Sequence, residues 1–161
     1  MKRMGLFAGF AAALFLAAFA VIGISNQVLD RPIPMPLEAQ EGKTPAFARA
    51  RKVFEADCLS CHSSKTSLPW YASLPLAKQL IQADIRKARK EMDFDKRIYV
   101  SGKRPSVHTL KEIRKEIRKN AMPPPIYRAV HWRSFISHED KAAVLEWVDE
   151  ELGAYAAFPP G

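Results

Sequence analysis

The chain is 161 residues long, 48% apolar and 26% charged, with a net charge of +8. That length holds one compact domain and leaves no room for two of ordinary size. The apolar share suffices for a packed core, but it is unevenly spread and the N-terminus takes much of it. From Gly5 to Ile24 there is no charge, and Lys2 and Arg3 stand just before the run. Twenty residues rising about 1.5 Å each cover the ~30 Å hydrocarbon core of a bilayer. The basic pair keeps the N-terminus in the cytoplasm and sends the remainder across. Residues 1–24 therefore read as a membrane anchor, or as a secretory signal ending near Ala18-Phe19-Ala20. The run continues through Val21, Ile22 and Ile24, beyond the ~7–15 residues of a signal's apolar region, which favours the anchor.

Residues 25–42 read as a linker. Asp30-Arg31-Pro32-Ile33-Pro34-Met35-Pro36 alternates proline with other residues, which disfavours helix and predicts an extended spacer. The folded domain, 43–161, opens at Thr44-Pro45, with proline at the first helical position.

Both cysteines of the chain fall in Cys58-Leu59-Ser60-Cys61-His62. A pair in an exported protein can form a disulfide, act as a redox dithiol or supply half of a zinc site. The dithiol reading expects a strand leading into the motif, whereas an apparent helix from Pro45 to about Asp57 leads in here. Zinc needs four ligands, and no second Cys or His pair stands at short spacing. A histidine directly after the second cysteine is the signature of haem attachment. Two thiols that add across the vinyl groups of a porphyrin force the next residue beneath the iron, within reach of an imidazole nitrogen. The expected cofactor is one covalent haem c on Cys58 and Cys61, with His62 as an iron ligand.

A soft thioether suits the other face of such an iron. Of the five methionines, Met1 and Met4 precede the apolar run and Met35 lies in the linker. Met92 stands at helical spacing from Ile81, Ile85 and Ala88 and reads as core. Met122 opens Met122-Pro123-Pro124-Pro125, where prolines fix φ and hold a stiff loop, and it is the expected sixth ligand. His108 and His138 read as solvated surface residues; His131 could hydrogen-bond near the haem or replace the methionine. Leu68-Pro69-Trp70-Tyr71 reads as an aromatic turn just after the attachment site. Trp70 and Tyr71 would pack on the porphyrin or serve the ordinary core.

The remaining chain is helical in pattern. Residues 45–57 bring Phe47, Ala50 and Phe54 to one side, and 76–92 carry Leu76, Leu80, Ile81, Ile85 and Met92 as a stripe. Residues 107–119 show Val107, Leu110, Ile113 and Ile117 behind Ser106 as N-cap. The last helix starts at Ser137, with Val144, Leu145, Trp147 and Val148 as its buried face. No run alternates long enough for a strand, so the expected fold class is all-α.

A helix entering Cys-x-x-Cys-His, a later Met-Pro loop and an aromatic-bearing last helix resemble class I cytochromes c. That resemblance implies a crossing of first and last helices, with Phe54 and Trp147 as the contact. The chain is also similar to the bacterial haem-binding domain family, over about residues 50–150. The shared residues are Cys58, Cys61, His62, Ser63, Ser64, Leu68-Pro69-Trp70-Tyr71, Pro75, Met122-Pro123-Pro124, Tyr127 and His131. It departs from that pattern at Asp93-Phe94-Asp95-Lys96-Arg97 and in the basic insertion through Pro105.

Segment 78–119 holds fourteen Lys or Arg against six Asp or Glu, as much as the net charge of the whole chain. Such a run is an ordinary solvated face, a dock for an acidic redox partner, or a contact with anionic lipid. Nucleic acid does not suit an exported haem domain. The expected function is a single-electron carrier on the periplasmic side of a bacterial inner membrane, anchored there or released to the periplasm if the signal is cleaved. No catalytic residues are expected. The alternative is an open iron site acting as a peroxidase-like enzyme or gas sensor.

Overall fold

The computed structural model describes residues 2–29, 34–35, 44–66, 68, 70–100, 103–131 and 134–157. Among these residues every regular element is helical, with no strand. Most of the expected linker, together with Pro69 and Trp132, lies outside the described residues.

Helix α1, Lys2–Leu29, runs five residues past the expected boundary at 24, since no helix-breaking proline occurs before Pro32. Its described side chains are those of residues 9–21, 23 and 24. Phe10, Phe15 and Leu16 among them stand well exposed. No helix of the described residues is long and apolar enough to cross a membrane.

Three capped helices make the core. In α2, Pro45–Asp57, Thr44 Oγ1 accepts from the Phe47 N–H at 3.2 Å and Pro45 opens the first turn. In α6, Val107–Arg118, Ser106 Oγ accepts from the Thr109 N–H at 3.2 Å. Before the last helix, His138–Ala157, Ser137 Oγ accepts from the Asp140 N–H at 3.0 Å while Asp140 Oδ2 accepts from the Ser137 N–H at 3.1 Å. This reciprocal pair satisfies two orphan donors of that helix, numbered α8 below. Helices α2 and α6 both lie on α8. Trp147 stands at the crossing, 1% exposed, with ring centroids 5.5 Å from Phe47 and 5.4 Å from Phe54. The expected Phe54–Trp147 contact is present; Leu145 is only partly buried at the edge of this core.

Between these helices run shorter elements: α3, Leu59–His62; a 3₁₀ helix, Trp70–Ser73; α4, Pro75–Glu91; α5, Phe94–Arg97; and α7, Pro125–Val130. Helix α4 packs chiefly on α3 and the 3₁₀ helix. That narrow support covers Ile85, and Met92 just beyond the helix, but leaves Leu76 72% and Leu80 61% exposed. Periodicity correctly grouped Leu76, Leu80, Ile81 and Ile85 on a helix, which ends one residue short of Met92, but the stripe is buried only at its C-terminal end. Met35, expected in a spacer, is 3% exposed and belongs to the core, its N–H donating to Glu55 Oε1 at 2.8 Å. A flexible thioether fills an irregular gap readily, and that is the role it takes here.

Candidate cofactor site

Cys58 is at once the C-cap of α2 and the residue before α3, so the Cys58–His62 motif is a helical turn. The Cys58 carbonyl accepts from the Cys61 N–H at 3.2 Å and the His62 N–H at 3.0 Å. Spacings of three and four residues bring Cys61 and His62 to the side of the helix that carries Cys58. The cysteines are not bonded to one another. Burial pushes both thiols above their ordinary range, Asp57 adding to the effect at Cys58. Neither is therefore the activated thiolate that a redox dithiol requires. Among the described residues no three His, Cys, Asp or Glu side chains gather as a group that could hold a metal ion.

The His62 ring is fixed from behind. Its Nδ1 lies 2.7 Å from the Met92 carbonyl oxygen. A carbonyl only accepts, so Nδ1 carries the proton and Nε2 keeps its lone pair for a metal. Burial lowers the affinity of this imidazole for a second proton, with the Met92 carbonyl opposing. Phe94 packs on the ring with centroids 5.6 Å apart, and itself meets Phe54 edge-on at 5.2 Å. Downstream, Asp95 clamps the chain: Oδ1 accepts from Ser63 Oγ at 2.8 Å, and Oδ2 from the Ser64 N–H at 2.6 Å and Ser64 Oγ at 2.7 Å. Although burial opposes it, hydrogen bonds from Ser64 and Ser63 hold the Asp95 carboxyl below its ordinary range. Arg89 Nη2 donates to the Ser63 carbonyl. The stretch 92–95, which runs into the segment from Asp93 where the sequence departs from the family pattern, thus holds the histidine and the residues after it in place.

Met122 reaches the site by a different local device. Asn120, at the end of α6, has φ +53°, a left-handed conformation that asparagine tolerates better than most residues. Its N–H bonds the Ile117 carbonyl at 3.2 Å and the Ala121 N–H bonds the Glu116 carbonyl at 3.1 Å. That double closure terminates the helix and turns the chain into the Met122-Pro123-Pro124 loop. The Met122–Pro123 peptide is cis. Pro124 then leads into α7, which carries Tyr127.

Cys58, Cys61, His62 and Met122 line one open cavity of about 930 Å³, counted out to solvent at its mouth. Its walls include Phe54, Ile113 and Ile117 from the core helices, Phe94 from α5, and Tyr127. A large flat apolar group with iron at its centre suits this set: two thiols, an imidazole with a free lone pair, a thioether, and aromatic and aliphatic walls. Charge at the cavity comes from Asp57, Glu91, Glu112 and Glu116, with Lys115 paired to Glu112 at 2.8 Å.

Trp70 and Tyr71 do not line the cavity. Trp70 is 58% exposed and meets Tyr71 edge-on at 6.0 Å. Tyr71 Oη lies 2.8 Å from His131 Nε2, His131 stacks on Tyr127 at 4.2 Å, and Tyr127 Oη lies 3.3 Å from Ser60 Oγ. His131 therefore stands behind Tyr127, supporting the wall. Met92, Phe94 and Asp95 had no distinctive sequence signal. The nearest hint was Ser63-Ser64, two adjacent hydroxyls in need of an acceptor.

The sequence model of the haem-binding domain family matches residues 18–150. The chain belongs to that family, and binds haem. A cytochrome c peroxidase, Ccp, of Escherichia coli (strain K12) is 31% identical over 105 residues, 64% of this chain and 23% of that protein. The chain thus spans about a quarter of the length of the curated relative it matches. No solved structure matches.

Proposed function

We propose that this protein is a mono-haem c-type cytochrome that carries single electrons and transforms no substrate itself. The observation that carries this reading is the convergence of Cys58, Cys61, His62 and Met122 on one cavity, with His62 Nδ1 held by the Met92 carbonyl. Cys58 and Cys61 would hold the haem covalently, as thioethers to its two vinyl groups, an addition in which the thiol proton stays on the product and no oxidant or leaving group is needed. His62 Nε2 and Met122 Sδ would hold the iron, and the haem would supply a one-electron couple. The aromatic walls exclude water, and the cytochrome c-like crossing of α2 with α8 at Trp147 keeps the attachment helix rigid. Tyr127 intervenes between His131 and the cavity, which disfavours a distal acid–base role for that histidine. A redox partner protein meets the haem at the mouth, where the four carboxylates favour a partner presenting cations over the acidic one that net charge alone suggests.

Location is part of the proposal. The described residues alone do not make a span; what supports an anchor in a bacterial inner membrane, with residues 43–161 on the periplasmic side, is the uncharged sequence from Gly5 to Ile24 behind Lys2 and Arg3.

The test is the optical spectrum of the purified oxidised and reduced protein beside Met122→Ala, with carbon monoxide added to each. The reading expects covalently retained haem in both. It expects a low-spin parent with the weak far-red band of Met-ligated ferric iron, and carbon monoxide binding only after Met122 is removed. A parent that binds carbon monoxide readily would put the open-site enzyme or sensor first.

A further inference from the structure

Helix α4 carries an outward face that the fold leaves uncovered. At 100° per residue, Leu76, Leu80, Ala83, Lys87 and Lys90 share one side, opposite the buried Ile85. Leu76 is 72% and Leu80 61% exposed, and Leu74 and Trp70 beside the N-terminal end are 48% and 58% exposed. One half of the face is therefore large and apolar, and the other half is cationic. That division suits the boundary of a phospholipid bilayer, where leucine and tryptophan enter the acyl edge and lysines reach phosphate groups.

The chain's own tether brings such a boundary close. Helix α1 ends at Leu29, and Met35 is pinned into the core with its N–H on Glu55 Oε1. The six steps between them span at most about 20 Å, even fully extended. With α1 in a bilayer, the domain cannot leave the surface, and some face of it stays within the headgroup region. Confinement of this kind raises the effective concentration of lipid so far that a modest amphipathic face is enough to orient the domain.

We propose that the outward face of α4, with Leu74 and Trp70, rests on the anionic lipid surface of the membrane that α1 anchors. This rests on the anchoring reading given above. Leu76 and Leu80 insert, and Lys87 and Lys90 pair with lipid phosphates. The domain is thereby held in one orientation, with its cofactor cavity presented to partners along the membrane plane.

The experiment uses the full haem-loaded chain in vesicles of mixed zwitterionic and anionic phospholipid. A nitroxide is placed on Ala83→Cys, with Glu139→Cys on α8 as reference. Depth is read from collisions with oxygen and with a water-soluble nickel chelate. The Ala83 label is expected in the headgroup region, with nickel collisions several-fold rarer than at Glu139. Leu76→Glu with Leu80→Glu should return it to water and leave the haem spectrum unchanged. Neutral vesicles should weaken the contact. Equal nickel access at Ala83 and Glu139 would overturn the proposal. So would protection of Ala83 that persists in detergent and grows with protein concentration, which means a second copy or a protein partner covers the face. An alkaline wash reports on anchoring separately: release of the chain refutes the anchor, whereas retention with Ala83 in water refutes only the α4 contact.

Discussion

Replacing Asp95 with alanine tests whether the segment after the attachment motif is held as described. Asp95 accepts from Ser63 Oγ at 2.8 Å and from Ser64 N–H and Oγ at 2.6 and 2.7 Å. Ser64 is exposed, so water replaces most of what its bonds contribute. Ser63 is 3% exposed, and removing its acceptor leaves a buried hydroxyl short of a partner, a loss of about 1–3 kcal/mol. The expected effect of Asp95→Ala is therefore about 2 kcal/mol off the unfolding free energy of the haem-loaded chain, read from urea titration. A double-mutant cycle with Ser63→Ala should return a coupling of about 1 kcal/mol, because removing both partners costs less than the two single losses together. The Asp95 carboxyl is depressed in the folded chain, so its charged form is the one that stabilises. That contribution is present above the unfolded value of about 3.9 and fades as pH falls through the lower folded value. The difference between parent and Asp95→Ala should accordingly narrow in acid below about pH 4. A change within about 0.5 kcal/mol at neutral pH, or zero coupling to Ser63, would refute the clamp.

Trp147→Ala should cost about 3–5 kcal/mol in the same titration, since it empties the crossing of α2 and α8. Trp147→Phe should cost far less, because the buried indole Nε1 finds no hydrogen-bond partner among the described residues and its removal offsets part of the lost contact. Asn120→Val should lose about 1–2 kcal/mol at φ +53° and Asn120→Gly almost nothing, checked by thermal unfolding with the Met-ligation band followed alongside. Tyr71→Phe removes the contact with His131 Nε2 and should cost about 1 kcal/mol while leaving carbon monoxide binding unchanged. A gain in carbon monoxide binding would instead make Tyr71 a control on the iron face.

The features that local sequence could determine were those whose physics is local. Caps at Thr44, Ser106 and Ser137 need only a hydroxyl beside a helix start, and each is found where expected. Cys58, Cys61 and His62 are grouped by helical spacing alone, and a proline-stiffened Met122 needs no distant contact to be recognisable. The assembly of the cavity was not legible in the same way. The group that holds His62 is the carbonyl of Met92, and every residue has a carbonyl, so no letter marks the one that matters. Phe94 and Asp95 act only because α5 folds back on the residues after the motif, thirty positions away in sequence. Periodicity in α4 showed which residues share a side, but burial depends on what packs there, and the narrow support beneath α4 leaves Leu76 and Leu80 outside. Met35 shows the converse: proline on both sides argued for a spacer, yet a gap in the core takes its side chain. Sequence thus determined the helices and singled out the side chains that meet at the cavity. Tertiary packing decided which donors are fixed and which apolar faces stay bare, because both depend on neighbours distant along the chain.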